Sequence, residues 1–508
     1  MRTCAIAALA GVASIACANP EVIFTSIPTS PTSLIPGGGG ARFRSPLVSM
    51  LDLYSSPSGN AWVFKGFNDN ADGDIMMVGS GATIRILAAT EGDALQGTGF
   101  TFGFFDSDCS INDNGVAAFG NRLVGATATT DEVLLRWTPA VGALLMHQES
   151  DAAPGLIDAP GQFSGDETLG NSLNSPVILA SGDFAFRADL INNLASDRDA
   201  ALYMGNTVLM QQNTPLLGQF YDAPVASTLR LTPDGAHWMA EVDTTVGLGT
   251  TDALLLDGAI VIQNGDPLTT LALPVDAIFD NDLLPNQSWT ARGDFPGDND
   301  WAVKDGVVAF VTGDPIQTAL GTEHVGDAIS VFRANLAGDT LMVCNTDNPF
   351  SDRDTVMMLN DDTELAREGD PVDVDGNGLP DDDAFIATFG ANDAFFGDDG
   401  FVYFLCTLRN ESQTSLGSAF LRVQIDAGGC APDLTTGAIQ GVPGYGVPNG
   451  VLNNDDFFYY LAQFAAGNIA VADLTTGAIP GMPGYGVPNG VLNNDDFFYY
   501  LAIFAAGC

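Results

Sequence analysis

Six times along this chain a glycine turn leads into a short run in which apolar residues alternate with small or polar ones. The runs are Gly59-Asn-Ala-Trp-Val-Phe64, Gly115-Val-Ala-Ala-Phe119, Gly182-Asp-Phe-Ala-Phe186, Gly235-Ala-His-Trp-Met239, Gly306-Val-Val-Ala-Phe310 and Gly400-Phe-Val-Tyr-Phe404. Successive side chains of a strand point to opposite faces, so alternation bounded by Gly and Asp predicts half-buried strands. A second element falls between these runs: an apolar strand, a short polar turn and another apolar strand. It occurs at 134–137 with 143–146, 201–204 with 208–211, 253–256 with 259–262, 330–332 with 340–343, and 356–359 with 364–366. In the third of these the turn is Asp257-Gly258, a pair suited to a tight hairpin.

Each unit therefore holds about four strands, and the glycine signals lie 56, 67, 53, 71 and 94 residues apart. Four-stranded units recurring at that spacing predict a mainly β body over 58–427, a β-propeller of six blades, or seven because the last gap is long. Two β-sandwiches would also give short strands and Gly-rich turns; the hairpin that follows nearly every Gly strand favours the propeller. The pattern resembles secreted bacterial propellers, although it has no Trp-Asp or kelch signature. Residues 19–57, rich in Pro, Ser and Gly, read as an irregular lead-in.

The N-terminus predicts export. Met1-Arg2 supplies a positive start, 4–16 an apolar core, and Ala16-Cys17-Ala18 a small-residue cleavage site, so 1–18 reads as a signal peptide. No other stretch approaches 18 consecutive apolar residues, so no transmembrane segment is expected. The formal charge is −46, and lysine occurs only at Lys65 and Lys304. Such a surface excludes nucleic acid and anionic membranes as partners and instead attracts divalent cations. Cleavage would leave Cys109, Cys344, Cys406, Cys430 and Cys508, at spacings that match no zinc pattern. A Cys430–Cys508 disulfide would bracket the tail, and the terminal Cys508 is a candidate for covalent attachment.

Catalytic motifs are absent from the body. His147, His237 and His324 have no histidine or cysteine three or four residues on, and there is no nucleophile elbow, zincin motif or P-loop. Trp62, Trp238 and Trp301 lie in or beside strands and are expected in the core. One body segment does carry chemistry. Asp373, Asp375, Asn377 and Asp381 put oxygen ligands at positions 1, 3, 5 and 9 of a loop with Gly378 at position 6, an arrangement suited to calcium. Ala384 stands where a twelfth-position carboxylate is wanted, so Asp383 or a distant residue would have to complete the shell. The segment resembles the Asp-rich calcium loops of thrombospondin-type repeats.

The tail, 430–508, is a tandem repeat. Asp433-Leu-Thr-Thr recurs as Asp473-Leu-Thr-Thr, and Asn453-Asn-Asp-Asp456 as Asn493-Asn-Asp-Asp496, each followed by Phe-Phe-Tyr-Tyr-Leu-Ala. Asn and Asp cap a helix start, and Phe457, Tyr460, Leu461 and Phe464 then share one apolar face. Gly467 and Gly507 stop the helices. Two such small copies must pack together to bury a core. The segment resembles a dockerin, the duplicated calcium-loop-and-helix module that docks secreted proteins onto cohesin-type partners, and in particular the bacterial tails that end in Gly-Cys. That resemblance implies calcium ligands at Asp433, Asn449, Val451 (carbonyl), Asn453 and Asp456, and at Asp473, Asn489, Val491 (carbonyl), Asn493 and Asp496. From Asp433 to Asp456 is 24 residues, against about 12 in an ordinary loop of this kind. A Gly/Pro-rich insert accounts for the excess, and Thr435 and Thr475 stand near the third ligand position.

The expected function is that of a secreted, surface-associated, non-catalytic binding or structural protein. Its body would meet a glycan or protein ligand, and its tail a cohesin-like or envelope partner. The competing expectation is an extracellular polysaccharide hydrolase or lyase.

Overall fold

The computed structural model describes residues 20–506 apart from 71–72, 157–164, 166, 192–197, 217–218, 225–227, 247–248, 269–272, 298, 378–380, 426–431, 433, 443, 447–451 and 479–487. The signal segment, Cys430, Cys508, Asp433, Asn449 and Val451 thus lie outside the described residues. The chain divides into a β body ending at Gln424 and a helical unit beginning at Ile425.

Seven separate antiparallel sheets of four to six strands make up the body, the blades of a seven-bladed propeller. Their first strands are Met50–Ser55, Thr101–Ile111, Thr168–Ile178, Gln219–Pro224 continued by Arg230–Leu231, Ala277–Leu283, Gly321–Ala334 and Phe385–Phe396. Met50–Ser55 touches both Thr101–Ile111 and Phe385–Phe396, which marks the first strands as the inner ones. The fourth blade has an extra strand, Pro215–Leu216, and the sixth another, Pro315–Thr318. The segment read as an irregular lead-in contributes two strands. Met50–Ser55 opens the first blade, and Glu21–Thr25 pairs with Ser415–Gln424 as the outermost strand of the seventh. The two ends of the body therefore close the ring.

Seven blades, rather than six, follow from two inner turns that the six glycine runs leave out, at Gln287 and Gly338. In every blade the turn between first and second strands has one residue at positive φ. These are Gly59, Gly115, Gly182, Gly235, Gln287, Gly338 and Gly400. The N–H at the turn's start bonds to a carbonyl four residues on in the second blade (Asn112 to Val116, 2.9 Å), the fifth (Leu284 to Ser288, 2.8 Å) and the seventh (Gly397 to Phe401, 2.7 Å). Gln287, at φ 70°, does what glycine does elsewhere, at some conformational cost. Gly306 belongs instead to the outer Asp305-Gly306 hairpin of the same blade.

A second sixfold signal marks the passage between blades. After each outer strand stands a residue at positive φ and then Asp or Thr: Gly92-Asp93, Ser150-Asp151, Asn213-Thr214, Gly265-Asp266, Gly313-Asp314 and Gly369-Asp370. Each corner bonds to the opening strand of the next blade on both sides, as where Gly313 N–H meets Val325 O and Val325 N–H meets Asp314 O. Six corners join seven blades.

The core lies between blades rather than within any one. Phe24 and Phe420 of the seventh blade pack on Trp62 and Phe64 of the first. Met239 and Leu254 of the fourth pack on Trp289, Ala291 and Trp301 of the fifth. Trp62, Trp238 and Trp301 are buried as expected. Each large side chain removed from water contributes about 1.5–3 kcal/mol, so the blades hold one another.

Candidate functional site

The acidic loop occupies the last corner, between Pro371 and Phe385, which pair with each other at its base. Carboxylate oxygens of Asp373, Asp375 and Asp382 all lie within 4.8 Å of one another. Asp382 was not among the residues expected to bind, yet its carboxylate completes this set of three. Its Oδ2 accepts the N–H groups of Val374 (2.8 Å) and Asp375 (3.0 Å), which folds the loop back on itself. Asn377 Nδ2 donates to Asp375 (3.1 Å) and Asp381 (3.4 Å), so both stand at the rim. Asp383 turns away and accepts the Glu411 N–H at 2.8 Å, and Ala384 is buried. Three carboxylates and a neighbouring amide oxygen suit a hard cation. The spacing that exposed this loop in the sequence assumed one ligand at each fixed step; the bend at Val374–Asp375 brings in a residue from outside that count.

The tail's helices Asn454–Ala465 and Asn494–Ala506 pack face to face through reciprocal contacts. The rings of Tyr460 and Tyr500 stack with centroids 3.8 Å apart and planes 9° from parallel. Phe457 meets Phe504, and Phe464 meets Phe497, as a local two-fold axis requires. The hydroxyls cross over: Tyr460 donates to Ala472 O (3.4 Å) and Tyr500 to Pro432 O (3.0 Å), each just ahead of the other copy's loop. Stacked aromatic pairs contribute about 0.5–1.5 kcal/mol beyond their buried area.

In the second copy the two ends of the loop come together. Asp473 accepts the N–H groups of Asn489 (3.2 Å) and Gly490, and Asn489 accepts that of Val491 (2.8 Å). The expected first, fifth, sixth and seventh positions thus lie together. Asp496 is fully buried and accepts Leu474, Thr475 and Asn493 N–H groups at 2.8–2.9 Å. Asp456 does the same with Leu434, Thr435 and Asn453. A carboxylate has about four lone-pair directions, so three such bonds leave room for one further ligand bond and not two. Asn453 and Asn493 cap their helices by accepting the N–H of Asp455 and Asp495. Thr435 and Thr475 are buried, their hydroxyls donating to Gly437 and Gly477 carbonyls at 2.7 Å.

A third polar assembly had no sequence signal. Arg230, Arg292 and Arg333, from the fourth, fifth and sixth blades, converge on Asp280 near the inner strands. Arg333 Nη1 pairs with Asp280 Oδ2 at close range, and Arg230 Nη2 lies 3.5 Å from Asp280 Oδ1. Arg292 donates to Ile329 O (2.7 Å) and to Asn392 Oδ1 (2.7 Å) of the seventh blade. Asp393, beside it, accepts the Leu53 N–H of the first blade at 2.9 Å, and Asp108 accepts Ser175 Oγ at 2.8 Å across the second and third. Burial alone would raise the Asp280 pKa, but Arg333, Arg230 and Arg292 outweigh it and hold the group below the usual range. Burial pushes Asp393 up to about 7, assisted by Asp52 and opposed by the Leu53 N–H and Arg333. This belt ties blades together. Its members are scattered in sequence, and only the ring brings them within reach.

The histidines stand apart from these groups. His147 lies against Phe186 with ring centroids 4.6 Å apart, and burial lowers its pKa. His237 and His324 share Nδ1 contacts with Asp257 (2.7 Å) and Asp347 (2.8 Å). The described cysteines Cys109, Cys344 and Cys406 are buried free thiols. No described helix is long and apolar enough to cross a membrane.

Residues 58–211, in the first three blades, match the sequence profile of a family of unknown function, DUF7453. No curated protein matches the chain. Similar solved structures include a puromycin hydrolase mutant complexed with PGG, at 12% identity over 73% of this chain and 53% of that one, TM-score 0.38. An oligogalacturonate lyase in complex with manganese matches at 10% over 80% and 96%, TM-score 0.37. The β-propeller domain of the Trilobed protease from Pyrococcus furiosus matches at 6% over 73% and 94%, TM-score 0.36. This chain spans about half the length of the puromycin hydrolase. At such identity the names of these proteins say nothing of its chemistry.

Proposed function

We propose that the chain is an exported, surface-associated propeller without catalytic activity, which binds a glycan or protein ligand or serves as structure. Its dockerin-like tail tethers it to a cohesin-type or envelope partner, with calcium as the resident ion of the tail loops and of the acidic corner. The observation that carries this reading is the reciprocal packing of the two tail copies, with Tyr460 on Tyr500 and each hydroxyl bonded to the start of the other copy's loop. A duplicated unit whose two copies complete each other in this way suits attachment. Support for calcium comes from the oxygen-only set Asp373, Asp375 and Asp382, and from the closure of Asp473 onto Asn489 and Gly490.

A polysaccharide hydrolase or lyase would need two carboxylates lining an open cleft. The carboxyl pairs Asp243–Asp252, Asp131–Glu149 and Asp354–Glu368 would be the first to substitute should turnover of a glycan be found. Calcium titration of the full chain tests the reading. Wild type is expected to bind calcium, Asp375→Asn to lose the corner site, and Asp473→Asn to lose a tail site. Absence of calcium binding by wild type, or turnover of a glycan panel, would overturn it.

A further inference from the structure

The first and second blades leave between them a cleft of about 260 Å³, on the face away from the blade corners. Buried Ala61 and Val78 of the first blade form its floor. Strand pairing sets Val78 opposite Ile86 and Ser80 opposite Ile84, so both isoleucines stand on the cleft side of their strand. Ile84, at the mouth, is 53% exposed. Arg85, between them, points to the other face and lies over the Phe24 ring at 5.2 Å. Pro139, in the outer hairpin of the second blade, closes the far side.

The second blade adds a carboxylate. Asp113 sits in the turn before its second strand, and its Oδ1 accepts the Ser58 N–H (3.0 Å) and hydroxyl (2.8 Å) of the first blade. Asn60 Nδ2 donates to the Asp113 carbonyl at 3.3 Å. The two turns thus hold each other, and among the described residues none donates to Asp113 Oδ2. No described lining residue is basic or aromatic. A cleft so lined offers methylene packing and one negative charge, and no flat ring for a sugar to stack on.

Several sugar units also ask for more room, since sites for ligands of drug size run to about 300–1,000 Å³. An amphipathic cation fits better: a long side chain lays its methylenes on apolar walls and keeps its charged end in water. Because Oδ1 of Asp113 is engaged, the single oxygen left suits a compact ammonium rather than the two-pronged guanidinium of arginine. Asn114 and Ser80 stand at the rim with polar groups for the peptide bonds on either side.

We propose that the cleft receives a lysine side chain of a protein partner, its stem along Ile84, Ile86 and Pro139 and its ammonium on Asp113 Oδ2. The binding role given above to the body is the premise, and the cleft supplies the chemistry of the ligand.

The test is methyl NMR of the full chain labelled at isoleucine, with Ile84→Val and Ile86→Val to assign the two signals. The probe is the peptide Gly-Gly-Lys-Gly-Gly, acetylated and amidated at its ends, titrated at physiological salt so that loose attraction to the acidic surface is screened. Saturable shifts of the Ile84 and Ile86 methyls are expected. Norleucine in place of lysine removes the charge, and diaminopropionate keeps the charge on a one-carbon stem; each should weaken binding by about tenfold. Asp113→Asn, which keeps an oxygen for Ser58, and Ile84→Ser, read at Ile86, should each weaken the lysine peptide to a similar degree. Lysine binding at wild-type strength in both variants, or diaminopropionate binding as tightly as lysine, would overturn the proposal. Shifts produced by neutral oligosaccharides and not by the lysine peptide would overturn it too, while leaving the binding role of the body in place. Silence from every probe in a chain that still binds calcium would refute the cleft alone.

Discussion

Replacing Asp393 by Asn should make the body more stable, and the gain should grow with pH. Asp393 lies where the seventh blade meets the first, its Oδ1 accepting the Leu53 N–H. Burial pushes its pKa up to about 7. In the unfolded chain an Asp ionises near 3.9. Between those values the unfolded state has lost its proton and the folded state has not, so stability falls as pH rises. The fall is about 1.4 kcal/mol per unit and ends near pH 7. From pH 5 to pH 8 this one group costs about 3 kcal/mol. The amide is neutral throughout and keeps an oxygen for the Leu53 N–H, so the variant escapes the loss. Urea unfolding at both pH values measures it, and pH 5 leaves enough of the net charge for solubility. An Asp393→Asn chain whose advantage over wild type is the same at pH 5 and pH 8, or smaller at pH 8, would refute the reasoning.

Other perturbations follow from single residues. Arg367, 5% exposed in its side chain, pairs with buried Glu364 (2.8 Å) and Glu323; Arg367→Met leaves two carboxylates without a cation and should cost about 3–5 kcal/mol in urea unfolding at pH 8. Gln287→Gly relieves the one non-glycine residue at its turn position and should raise stability by about 1 kcal/mol, whereas Gly338→Ala at the equivalent turn should lower it by a similar amount. Tyr500→Phe keeps the stacked ring but removes the bond to Pro432 O, so tail helicity by circular dichroism should hold while its melting temperature drops, consistent with a loss of about 1 kcal/mol.

The repeat of four strands was legible because a turn between inner strands demands positive φ, and six of seven turns meet that demand with glycine. The count went astray at Gln287, where the demand is met by a residue that sequence gives no reason to notice, at Gly306, where an outer hairpin has the same signature, and at Gly338, whose turn reads as that of a connecting hairpin. The six blade corners carry Gly-Asp or a close variant, yet went unread, because a two-residue signal gains meaning only once its partner strand is known. In the acidic loop the acidic residues were readable, and which three of them converge was not. Asp382 enters because two backbone N–H groups turn to it, an event no fixed spacing encodes. The Asp280 belt was out of reach altogether, for it unites residues of different blades that only closure of the ring brings together.

That closure also explains how so acidic a chain uses its few cations. Of 17 basic residues, at least eight of those described (Lys65, Arg187, Arg230, Arg292, Arg333, Arg367, Arg409 and Arg422) have at most one fifth of the side chain or residue exposed. Several of them bridge blades, as Arg333 does to Asp280. Cations spent inside leave the exposed acids largely unpaired. For an ordinary surface laced with ion pairs, added salt screens attraction and lowers stability. Here the exposed charges mainly repel, so salt should raise stability, while the buried clamps, shielded from the solvent, change little. Sodium chloride added from about 0.05 to about 0.5 M, a range over which the screening length shrinks several-fold, should therefore raise the urea midpoint of wild type and of Arg367→Met by similar amounts. A midpoint that falls with salt would mean that the exposed acids find partners after all.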